Sequence, residues 1–80
     1  MIGARPEMNA EDWLSAYAER LGTDPPTPAE LASLLALAGE AAHASERVAA
    51  PVACWMAAKA GVRPADALAL ARQMGEGDER

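Results

Sequence analysis

The chain has 80 residues, 51% of them hydrophobic, and a formal net charge of −5 from 12 Asp and Glu against 7 Lys and Arg. That length allows one domain with one modest core, and an acidic balance with no basic stripe argues against nucleic acid and against an anionic membrane surface as partners. A single cysteine forms no internal disulfide, no apolar run approaches the ~20 residues of a membrane span, and the opening MIGARPEMNAEDW lacks the apolar region of a signal peptide, so the expected location is the cytoplasm.

In chain order, residues 1–8 read as a tail. Asn9 suits an N-cap, and Glu11 and Asp12 favour the positive end of a helix. Trp13, Tyr17 and Leu21 recur at i, i+4 and i+8 with Leu14 and Ala18 beside them, which predicts an amphipathic first helix ended by Gly22. The run TDPPTP forbids a continuous helix. Thr27-Pro28-Ala29-Glu30 then combines N-cap, proline at the first helical position and Glu at the third, a capping box that starts a second helix running to about Ser45. Leu31, Leu34, Leu35, Ala38 and Ala42 form its apolar stripe. Gly39, which costs about 1 kcal/mol against alanine within a helix, is read as a mark of close packing.

Pro51 disfavours helix at Ala50, so a break is expected near residues 46–50. A third helix follows over about Ala50 to Ala60, with Val52, Trp55, Met56 and Lys59 along one side and Gly61 as its stop. Pro64 begins a fourth, with a stripe of Ala67, Leu70, Ala71 and Met74, before a polar tail at residues 76–80. No strand-like alternation is found. The expectation is all-α: a compact bundle of four short helices forming one domain over residues 9–75. Much of the hydrophobic fraction is alanine, which buries little area, so self-association or docking on a larger partner would help the fold. Trp13 and Trp55, at helical spacing among leucines, are expected in the core; an exposed tryptophan would indicate a docking surface instead.

The only histidine and the only cysteine lie in EAAHASERVAAPVACW, residues 40–55. Glu40, His43 and Glu46 are too few to make a metal site in a single chain, and no metal or other cofactor is expected. Cys54 sits between Ala53 and Trp55, where a free cysteine commonly behaves as a small hydrophobe. No third residue orients it against His43, no Gly-x-Ser-x-Gly elbow occurs and no glycine-rich phosphate loop is present, so the chain is not expected to be an enzyme. The plain reading of His43, Glu46, Arg47 and Pro51 is a hydrogen-bonded corner between helices two and three; the functional reading is a contact with a partner.

The stretches AEDWLSAYAERLG and ELASLLALAGEAAHASERVAAPVACWMAAKAG, followed by an Ala- and Leu-rich last helix, resemble a family of small actinobacterial domains of unknown function. The resemblance covers about residues 10–74. It is carried by Trp13-Leu14, Leu34, Ala38, Ala42-His43, Glu46-Arg47, Ala50-Pro51 and Gly61. Such domains occur alone and fused behind the nucleotidyltransferase that makes molybdopterin guanine dinucleotide. The resemblance implies a non-catalytic accessory domain in molybdenum-cofactor biosynthesis, with that transferase or a molybdoenzyme as partner. It supplies no reaction: the transferase chemistry needs a Gly-rich nucleotide loop and a Rossmann-like sheet, and neither is present. A plain homodimerisation or interaction module, and a small ligand- or metal-binding domain, are the alternatives.

Overall fold

The computed structural model describes residues 9–77, and within them four α-helices and no strand. They are α1 (Ala10–Leu21), α2 (Pro28–Ala44), α3 (Ala49–Lys59) and α4 (Pro64–Gly77). The expected all-α architecture is therefore the observed one. The tail expected at residues 1–8 lies outside the described residues, and α4 runs two residues into the stretch expected to be a polar tail. Among the described residues no helix is long and apolar enough to cross a membrane.

Local chemistry sets nearly every boundary. The Asp12 amide donates to Asn9 Oδ1 at 2.8 Å, satisfying one of the free N–H groups that open α1. Gly22, at φ 79°, closes that helix, with the Thr23 amide bonded to the Ala18 carbonyl at 2.9 Å. At the start of α2 the capping box is complete: the Glu30 amide donates to Thr27 Oγ1 at 3.1 Å, and the Thr27 amide donates to Glu30 Oε1 at 2.9 Å. Gly61, at φ 76°, ends α3 in the same left-handed turn as Gly22.

Two expectations change at this level. Ala50 is helical, because α3 begins at Ala49 and places Pro51 third in the first turn. The amide that proline lacks there would have had no partner within the helix, so the ring is tolerated. Gly39 does not mark a close approach: a Cβ built on it meets nothing within 4 Å.

Both α3 and α4 pack against α2 and touch each other only slightly. Leu37 of α2 is the most buried residue, at 4% exposure, with Ala67 of α4 also in this core. No Cα of α1 comes within 8 Å of another helix. Instead Ala18 is buried, and Leu14 shares a small cleft with Pro25, Pro26 and Leu31. The described residues thus form a three-helix unit with α1 seated on the proline segment at one end.

Two substitutions test this account. Thr27→Ala removes half the capping box and is expected to cost about 1 kcal/mol, lowering Tm by roughly 4–8 °C in a domain of this size. Gly39→Ala is expected to raise Tm, since it gains helix propensity of up to about 1 kcal/mol and meets open space. Thermal melts followed by far-UV circular dichroism measure both, and a lower Tm for Gly39→Ala would mean that a neighbour does press on that position.

Candidate functional site

His43, Glu46, Arg47 and Pro51 all lie exposed on the corner between α2 and α3. Among the described residues none of these side chains hydrogen-bonds or ion-pairs with another. The backbone closes the corner instead: Ala49 N–H donates to Glu46 O at 2.9 Å, and Ala50 N–H donates to Arg47 O at 3.2 Å. Ser45 adds a double tie to the Ala41 carbonyl, through its amide at 3.1 Å and its Oγ at 2.9 Å. The side chains of His43, Glu46 and Arg47 are thus left exposed at the corner.

Glu40 is not turned into a cluster with His43 and Glu46. Its Oε2 lies 3.6 Å from Arg72 Nε on α4, an exposed pair worth at most about 1 kcal/mol. Among the described residues no three His, Cys, Asp or Glu side chains lie close enough together to hold a metal ion. Cys54 is half-buried, its Sγ donating weakly to the Leu34 carbonyl at 3.8 Å. Burial pushes its thiol above the ordinary range, because the thiolate is the form that loses hydration. That environment is the one expected of a small packed hydrophobe and opposes nucleophilic use.

The main departure from the sequence-based expectation concerns the large apolar side chains. Trp13 and Trp55, expected in the core, are 51% and 61% exposed. Leu21, Leu35, Val52, Met56 and Leu70 are also more than half exposed. The physical reason is that α1 has no helix packed on its stripe, while α3 and α4 each pack on α2 and barely meet each other. The α4 stripe of Ala67, Leu70, Ala71 and Met74 therefore lines an open groove of about 540 Å³, floored by Leu37 and Ala41 and walled on the α3 side by Met56.

A second apolar surface lies outside the groove. Val48, the residue that precedes α3, and Val52 and Trp55 of α3 follow one another at helical spacing and are all exposed. Lys59 continues the row, its Nζ 4.9 Å from the centroid of the Trp55 ring. Arg47 and Pro51 border this stripe at the corner. Sequence reasoning placed Val52, Trp55 and Lys59 on one side of this helix, did not single out Val48, and could not tell that these side chains would be exposed.

Fold and surface together define a small all-α domain with an open apolar groove on one side and an aromatic stripe on another. The chain belongs to the family described as a domain of unknown function, DUF6457, which matches residues 5–80. That match spans the stretch on which the resemblance rested. No curated protein and no solved structure matched the chain.

The Cys54 environment carries its own prediction. A thiol with a raised folded-state pKa favours the folded chain while it is neutral; this contribution is complete below the unfolded value and is lost as pH rises through the folded one. Titration with a chromogenic disulfide reagent at neutral pH should therefore modify Cys54 more slowly in the native chain than in denaturant, with the gap narrowing as pH rises. Equal rates would mean that the thiol is open to solvent and not held in its half-buried place.

Proposed function

We propose that this chain is a non-catalytic helical accessory domain that acts by protein–protein contact in the maturation of the molybdenum cofactor. The observation that carries the contact reading is the outer face of α3 and the residue before it, where Val48, Val52 and Trp55 are 70%, 53% and 61% exposed in one row. A row of this kind, ending in an aromatic ring and flanked by Arg47 and Lys59, has the composition of an interface centre with a charged rim. The cofactor setting rests on the resemblance to actinobacterial domains fused to the molybdopterin-guanine dinucleotide nucleotidyltransferase. In that reading the partner is this transferase or a molybdoenzyme, the compartment is the cytoplasm, and His43, Glu46, Arg47 and Pro51 form the polar border of the contact.

Calorimetric titration of the purified transferase, and separately of a molybdoenzyme, with the purified chain tests this. Binding is expected to at least one of them. Trp55→Ala is expected to weaken it at least about tenfold, as truncation of a central interface aromatic does. The chain should keep its fold, since the ring is exposed. Absence of binding to both proteins would remove the cofactor setting. Binding unchanged by Arg47→Ala would leave the polar corner a purely structural turn.

A further inference from the structure

The exposed row on α3 has a sign as well as a shape. Between Glu46 and Asp66 the chain carries Arg47, Lys59 and Arg63 and none of its 12 carboxylates, although its net charge is −5. All three cations are exposed, and among the described residues none of them forms an ion pair. One of them is tied to the row itself. Lys59 Nζ stands 4.9 Å from the centroid of the Trp55 ring, and that residue is 61% exposed. A partner that takes the ring into a pocket therefore strips water from the ammonium beside it as well. An ammonium that loses its water is strongly disfavoured unless an acceptor replaces that water, and a carboxylate does so best.

We propose that the surface docked on the α3 row is an apolar pocket of a protein with carboxylates on its rim, one of them within hydrogen-bond reach of Lys59 Nζ. This rests on the reading of the row as a contact surface and adds the chemistry of the partner. Charge complementarity selects this occupant. A neutral apolar pocket is poorer, because it buries the Lys59 ammonium with nothing to pair it. Nucleic acid is poorer too, because a chain of net charge −5 is repelled as a whole by a phosphate polyanion.

A synthetic host tests this without a second protein. β-Cyclodextrin has an apolar cavity that takes an aromatic ring, and its rim can carry carboxymethyl or ammonium groups. The chain has two tryptophans, so in a Trp13→Phe background the one indole N–H resonance is that of Trp55. Its shift on titration with each host reports binding at the row. At low salt the carboxymethyl host is expected to bind at least about threefold more tightly than the ammonium host. Lys59→Gln, its helicity checked by circular dichroism, is expected to remove most of that preference while leaving binding of the uncharged host. Equal affinity for the two charged hosts, preference for the ammonium rim, or no binding of Trp55 to any host overturns the proposal. So does a DNA oligonucleotide that shifts the same resonance at physiological salt, since phosphate is then the group these cations meet. If neither the transferase nor a molybdoenzyme binds the chain, the cofactor setting fails while the hosts still decide the rim chemistry. Where one does bind, Lys59→Glu is expected to weaken it at least about tenfold, and more than Lys59→Gln does. Equal effects of the two substitutions overturn a carboxylate opposite Lys59.

Discussion

Most of the packing between helices in this domain passes through α2. Helices α3 and α4 rest on it from two directions and meet each other only slightly, so Leu37 carries the burial that a conventional bundle spreads over several layers. The dependence begins with sequence composition. Alanine lets helices approach closely but removes little apolar area from water, so the three-helix unit is held with few large side chains inside. The start of α2 is correspondingly strong, with proline, threonine and glutamate acting together on its first turn. A helix on which two others depend has to be well defined before they can dock.

The splayed arrangement creates two surfaces of different character. The groove is concave, bordered by three helices and lined by flexible or small side chains such as Met56, Met74 and Ala71. The α3 stripe is convex, presents a single large ring under a lysine ammonium, and continues into a polar corner. A concave apolar site suits an inserted helix, and a convex aromatic row suits a pocket on another protein. Val48, Val52 and Trp55 are not among the residues that line the groove, so the two surfaces are separate.

Element positions were legible in the sequence because their causes are local. Asn9, Thr27, Pro28, Gly22, Gly61 and Pro64 act within a few residues, and each stands where its chemistry requires. The two local misreadings share one origin, a residue type judged apart from its exact place. Pro51 is harmless in a first turn, and Gly39 faces open space. The side of each helix that is apolar was also legible, as Trp13, Tyr17 and Leu21 on α1 or Ala67, Leu70 and Met74 on α4 illustrate. Whether another helix covers that side was not. Periodicity describes one helix, while coverage depends on how two helices lie relative to each other, and an apolar stripe destined for a second chain reads the same as one destined for the core. The corner residues His43, Glu46, Arg47 and Pro51 were legible as a cluster for the same local reason; the groove, assembled from three helices, was not. The apolar neighbours of Cys54 suggested a small packed hydrophobe, and the thiol is half-buried, but it rests on the Leu34 carbonyl of α2, a contact between helices that its sequence neighbours do not specify.

The proline segment between α1 and α2 has a consequence for the apolar stripe of α1. A loose connection would let Trp13, Tyr17 and Leu21 fold back over the nearest apolar surface. Here Pro25, Pro26 and Pro28 fix their own backbone angles, and Ala18 is buried beside the turn that leads into them. The stripe is thereby held out as a separate apolar ridge, at a distance from Leu37 that six stiffened residues set.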